Sequence, residues 1–116
     1  MGTLVQASKT TEFKDGMMKD VLIKGREILL TRIGNNYYAT DNRCPHMRGR
    51  LSDGILEGTV VTCPRHGSRF DIRNGEVIRW LKGSGLTSII GKALKSPRPI
   101  ITYKVKLEGE SVLVEI

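Results

Sequence analysis

Cys44-Pro45-His46-Met47-Arg48-Gly49-Arg50-Leu51-Ser52-Asp53-Gly54 and Cys63-Pro64-Arg65-His66-Gly67-Ser68-Arg69-Phe70-Asp71 are the stretches that decide how this chain is read. The protein has two cysteines and two histidines, and all four fall between Cys44 and His66. Their order is C-x-H, sixteen residues, then C-x-x-H. One disulfide would use the cysteines and leave the neighbouring histidines unexplained. Thiolate and imidazole together point to a metal centre. Both histidines are then spoken for, so none remains as a general base. No Ser–His–Asp set, phosphate-binding glycine loop or pair of catalytic carboxylates is recognisable.

Two centres accept this donor set. Zinc takes two Cys and two His tetrahedrally. A [2Fe–2S] cluster takes two Cys on one iron and two His on the other. Zinc fingers usually pair like ligands within one knuckle. Here each stretch supplies one Cys and one His. If two similar loops face each other, cysteines can meet at one iron and histidines at the other. The alternation favours the two-iron unit, with a single zinc ion as the alternative.

Outward from these stretches the chain reads as short β-forming runs between turn residues. Met17 to Ile23 and Arg26 to Ile33 flank Lys24-Gly25, which predicts a tight hairpin. Gly34-Asn35-Asn36 turns the chain into Tyr37 to Thr40. Thr59 to Thr62 leads into Cys63, and Phe70 to Ile72 and Glu76 to Ile78 flank Arg73-Asn74-Gly75. Ile101, Tyr103, Val105 and Leu107 alternate with polar residues, as Val112, Val114 and Ile116 do again, which predicts half-buried strands. The expected fold is all-β, a small antiparallel β-sandwich or barrel. One segment departs from it. Leu86, Ile89, Ile90, Ala93 and Leu94 form an amphipathic stripe, with Ser84 as a candidate cap and Pro97 as a stop. A short helix is predicted there, with Gly91 weakening it.

A chain of 116 residues suits one domain, and 39% hydrophobic residues exclude compositional disorder. No apolar run spans a bilayer, and the polar stretch Met1 to Lys14 does not read as a signal peptide. A cytoplasmic protein without a membrane anchor is expected. The net charge is +7, with Lys and Arg spread along the chain and aromatics at 5%. Scattered charge and scarce aromatics argue against a nucleic-acid tail or base-stacking surface. The basic balance reads as a solvated surface or as a docking face for an acidic partner.

The two quoted stretches resemble the cluster loops of the Rieske family, and the Asn74-Gly75 hairpin follows where that family has one. The resemblance is specific across Cys44 to Val77 and general, by strand pattern, elsewhere. It implies one [2Fe–2S] cluster per chain, held by Cys44, His46, Cys63 and His66 on two loops. Those loops would form a subdomain of about residues 41–78 within a single domain, 1–116. Met47, Arg48, Gly49, Arg65, Gly67, Ser68 and Pro97 would surround the ligands. Gly49, Gly54 and Gly67 are read as positions of positive φ or close approach. Pro97-Arg98-Pro99 resembles the family's third loop, and about 79–96 reads as an insertion anchored by Trp80. That insertion either covers an open sheet edge or docks a partner through Lys82, Lys92, Lys95 and Arg98.

The function implied is one-electron transfer between a reductase and an oxygenase or other oxidoreductase, with no enzyme activity of its own. The alternative is a non-catalytic small subunit of a larger reductase of the nitrite reductase type. A zinc-stabilised nucleic-acid-binding domain is a third reading. Two ferric irons, two sulfides and two thiolates sum to zero charge, so histidine ligation raises the potential. The membrane-bound respiratory branch is similar but adds a disulfide between its loops. Arg48 or its neighbourhood and Arg65 stand there, and no further cysteine exists. Ser68 looks like the high-potential branch, whereas Phe70 replaces a tyrosine that would donate to sulfur. A potential between the two branches is expected.

Overall fold

The computed structural model describes residues 2–45, 49–65, 67–79 and 98–116. The Lys24-Gly25 turn behaves as its chemistry requires. Lys24 and Gly25 take φ of 49° and 79°, the left-handed pair of a two-residue hairpin, and Ile23 pairs with Arg26. This joins β2, Met18–Ile23, to β3, Arg26–Ile33. Gly34 and Asn35 then connect β3 to β4, Asn36–Asp41, with Ile33 paired to Asn36. Strand β1 is Leu4–Lys9, β5 Ile55–Glu57, β6 Val60–Thr62, β7 Arg69–Asp71 and β8 Val77–Arg79. Strand β9 is Thr102–Tyr103, β10 Val105–Glu108 and β11 Ser111–Glu115.

The strands form three antiparallel sheets, in the orders β1-β11-β10, β2-β3-β4-β9 and β5-β6-β7-β8. Helix among the described residues is limited to two 3₁₀ turns, Thr10–Glu12 and Leu51–Asp53. No helix among these residues is long and apolar enough to cross a membrane. The all-β expectation therefore holds. The predicted helix over Leu86 to Leu94, the Trp80 anchor and Pro97 lie outside the described residues.

Strand β3 explains how the sheets hold together. Ile28, Leu29, Leu30 and Thr31 are all buried, so both faces of the strand are covered. Ile28 and Leu30 pack with Phe13, Ile23, Ala39 and Val114. Leu29 packs on the opposite face with Cys44, Leu51, Val61, Cys63, Phe70, Ile72 and Ile100. One strand thus divides two cores, and the second contains both cysteines. Burying each such aliphatic side chain is worth about 1.5–3 kcal/mol.

Three readings are corrected by the fold. The alternating run Ile101 to Leu107 is not one strand. It breaks at Lys104, β9 pairing with β4 and β10 with β11, in different sheets. The period-2 pattern is matched by burial only at the corner itself: Tyr103 and Val105 pack on the core, whereas Ile101 and Leu107 are exposed. Leu4–Lys9, read as a mixed polar terminus, is a strand whose Val5 and Ala7 pack on the core with Val114. Arg79, taken as the first residue of the insertion, is the last residue of β8.

The segment from Arg98 onward returns to the cysteine-bearing core. Ile100 N–H donates to Gly75 O at 3.0 Å, and Asp41 N–H donates to Ile101 O at 2.9 Å. Residues 100–101 therefore bridge the Asn74-Gly75 turn to the end of β4.

Candidate metal centre

The two cysteine loops are built alike. Arg43 bridges Arg50, and Thr62 pairs with Arg69, so each loop spans eight residues between antiparallel partners. Cys44 N–H donates to Gly49 O at 2.8 Å, and Cys63 N–H donates to Ser68 O at 2.7 Å. Each cysteine thus closes its own loop on the residue five positions ahead. Cysteine, proline and terminal arginine recur at the same places, as Cys44, Pro45 and Arg50 and as Cys63, Pro64 and Arg69. The histidines do not: His46 falls one place earlier in its loop than His66. Loop composition alone did not disclose this local repeat, because its marker is the pairing of the flanking residues.

Both cysteines are buried, at 1% and 2% exposure, and both carry thiols rather than a disulfide. Gly49 brings the loops into contact. A Cβ at Gly49 would lie 2.8 Å from Cys63 Sγ and 2.8 Å from Arg65 Cγ, so only glycine fits there. Arg65 thus lays its aliphatic stem across the first loop. Gly67 takes φ of 74°, whereas Gly54 is a close approach, a Cβ there meeting Thr62 O at 2.0 Å. Ser68 is fully buried. His46, Met47, Arg48, His66 and Pro97 lie outside the described residues. Arg98 lines a cavity of about 280 Å³ with Cys44 and Pro45, so the third proline-containing segment reaches the first loop.

Residues around the loops fix them from outside. Asn42, 1% exposed, was missed by sequence reasoning. Its Oδ1 accepts Ser52 N–H at 2.8 Å, its Nδ2 donates to Ser52 Oγ at 3.0 Å, and its carbonyl accepts Leu51 N–H at 2.8 Å. A buried Asn needs such partners, and its place two residues before Cys44 was the available signal. Behind the second loop, Asp71 accepts from Arg73 through N–H at 2.9 Å, Nε at 3.1 Å and a terminal guanidinium nitrogen at 2.8 Å. The Arg73 hydrogen bonds hold the Asp71 carboxyl below its ordinary pKa.

The donor set fits a sulfur-ligated cluster. Two thiols from equivalent loops sit in one apolar core, and the glycine between them leaves Cys63 Sγ uncovered by any side chain at 49. Such a setting suits a centre that must be shielded from water.

The fold and this pair of loops define a class. A family model described as the Rieske [2Fe-2S] domain matches residues 3–89, and the chain belongs to that family. It carries a single [2Fe–2S] cluster, which decides between the cluster and zinc.

Among particular relatives, it is 34% identical over 114 residues to the ferredoxin component of the naphthalene 1,2-dioxygenase system of Pseudomonas aeruginosa. That similarity covers 97% of this chain and 94% of the relative. The ferredoxin of carbazole 1,9a-dioxygenase from Nocardioides aromaticivorans IC177 superposes with a TM-score of 0.79 at 26% identity, covering 97% and 96% of the two chains. A chain described as an NADPH nitrite reductase small subunit shares the fold alone, with a TM-score of 0.72 at 19% identity and 97% coverage of both. The relatives are electron-transfer components rather than catalytic subunits, and this chain is of that kind.

Proposed function

We propose that Cys44, His46, Cys63 and His66 hold the [2Fe–2S] cluster and that this chain passes single electrons from a reductase to an oxygenase. Bound there, the cluster takes up and releases one electron at a time. The observation that carries the ligand assignment is the equivalence of the two loops. Both close by the same hydrogen bond and both deliver their cysteine to one core. The histidines follow as the remaining nitrogen donors of those loops.

The chain's own residues then have definite tasks. Gly49 lets the first loop approach Cys63 Sγ. Leu51, Val61, Phe70 and Ile100 exclude water from the cysteine side. Arg65, Gly67 and Ser68 flank the second cysteine and would set its environment, and the family resemblance assigns Met47, Arg48 and Pro97 the same task. An oxygenase as acceptor is supported by kinship with a dioxygenase ferredoxin component. Nineteen basic against twelve acidic residues support an acidic docking face on the partner. The setting proposed is cytoplasmic, in keeping with two cysteines carried as thiols.

Anaerobic purification tests the assignment. Iron and labile sulfide should appear in equal amounts, with an axial paramagnetic signal on reduction. Cys44→Ser, Cys63→Ser, His46→Ala and His66→Ala should each abolish that signal. Retention of it by any one of the four would remove that residue from the ligand set.

A further inference from the structure

The surroundings of the two loops differ in charge although their backbones match. At the base of the first, Arg43 is held bidentately by Glu27, at 2.5 and 2.9 Å. Arg50 donates to Asp20 at 2.5 Å and has Asp53 at 4.0 Å. Those guanidinium charges are neutralised. At the base of the second loop, Arg69 has only Glu57, at 3.8 Å, among the described residues. Directly opposite it across the sheet stands a second arginine, Arg79. Arg79 has no carboxylate partner among the described residues, and its Nε–H donates to the Gly67 carbonyl at 3.1 Å.

Like charges facing each other on a ladder destabilise it. Arg69 Nε is buried without a hydrogen-bond partner among the described residues, as Arg50 Nε is in the first loop, so the loops differ in the facing Arg79 and not in this. An arrangement unfavourable in itself calls for something negative nearby. The proposed centre supplies it on reduction: two ferric irons, two sulfides, two thiolates and two neutral imidazoles sum to zero when oxidised and to one negative charge after one electron is added.

We propose that Arg79 is a positioning residue for this centre, locking the second loop at Gly67 and, next to the loosely paired Arg69, placing an uncompensated positive charge on that loop's side that favours the reduced state. This rests on the ligand assignment proposed above. The bond to Gly67 fixes the loop between His66 and Ser68, and the two guanidinium groups act through space. One added electron meets Arg79, which has no carboxylate partner among the described residues, and the loosely paired Arg69 on the second loop's side, against close ion pairs on the first. The difference makes reduction easier without a further hydrogen bond to sulfur.

Voltammetry on variants with wild-type iron and sulfide content tests this. Arg79→Gln should lower the potential, shifting the reduced-to-oxidised ratio at the wild-type midpoint about three- to tenfold toward oxidised. Arg79→Lys, which keeps the charge, should lie closer to wild type. Glu57→Gln, which removes the counter-charge of Arg69, should move the potential upward. A merely structural role for Arg79 would not give shifts of opposite sign. An unchanged potential in Arg79→Gln, or a fall in Glu57→Gln, would overturn the proposal and leave the ligand assignment standing. If Arg79→Gln fails to hold iron, Arg69→Gln and Glu57→Gln decide by the same opposed shifts, and their absence overturns it. Wild-type protein lacking iron and sulfide would remove the ligand assignment itself, and this inference with it.

Discussion

Ser68, Gly49 and Phe70 show how much one position in this protein can carry. Ser68 is fully buried in the second loop, and Phe70 is buried in the core that holds both cysteines. A hydroxyl aimed at sulfur raises the potential, and a phenyl ring cannot contribute that bond. Ser68→Ala is expected to lower the potential with the fold unchanged. Losing roughly 1 kcal/mol of hydrogen bonding would change the oxidised-to-reduced ratio about fivefold. Voltammetry checks it, and an unmoved potential would reduce Ser68 to a turn residue. Gly49 is a steric requirement. Gly49→Ala would drive a methyl group to 2.8 Å from Cys63 Sγ and Arg65 Cγ. Overpacking of that kind costs about 1–3 kcal/mol, and it falls on the thiol itself. The expected result is a lower iron-to-protein ratio together with a lower unfolding midpoint. Normal iron content would show that the loop can move aside. The alternation of Cys and His pointed to both loops and the sequence already marked Gly49 as a position of positive φ or close approach; that the approach is to Cys63 Sγ and Arg65 needed the loops seen against each other.

At the scale of elements, the joint between β1 and β2 is the most exposed to test. Glu12, in the turn after β1, accepts from Ser8 Oγ at 2.6 Å, Lys9 N–H at 2.8 Å and Lys19 Nζ at 3.0 Å. It ties the sheet of β1 to that of β2. These hydrogen bonds, Ser8 first, lower the Glu12 pKa to about 2 from the ordinary 4.5. A folded-state pKa below the unfolded one stabilises the fold above the unfolded value and loses that contribution as pH falls. Glu12 therefore contributes fully above about pH 4.5, and its contribution fades between 4.5 and about 2. Glu12→Gln should be less stable than wild type at neutral pH, and the two should converge across that window. Chemical denaturation at several pH values measures it, and a gap that widens on acidification would refute the clasp. The Lys24-Gly25 hairpin and strand β11, seen in the alternation of Val112, Val114 and Ile116, were legible because turn chemistry and period 2 are local properties. Strand β1 was not, since two small or mid-sized apolar residues, Val5 and Ala7, among polar ones make a weak alternation, and it is the pairing with β11 that turns them to the core.

For the whole molecule, charge decides how partners are met. A chain of net charge +7 meeting an acidic protein associates fast at low salt and more slowly as ions screen it. Reduction of an acidic acceptor should slow about tenfold or more between roughly 0.01 and 0.15 M ionic strength. Stopped-flow absorbance reads this, and a rate indifferent to salt would remove the acidic-face reading. What the linear chain determined by itself was the chemistry and the kind of architecture. Four candidate metal ligands of two types, a family-specific loop pair and strand-length β runs are written in residue identity and short-range spacing. The tertiary structure alone decided the rest. It made the loops equivalent through the Arg43–Arg50 and Thr62–Arg69 pairings, split the Ile101–Leu107 run between two sheets, and set Arg79 opposite Arg69. Each of these is a matter of which backbone pairs with which across a loop or a corner, and such pairings are set by tertiary packing and not by the local period or turn chemistry that a sequence displays.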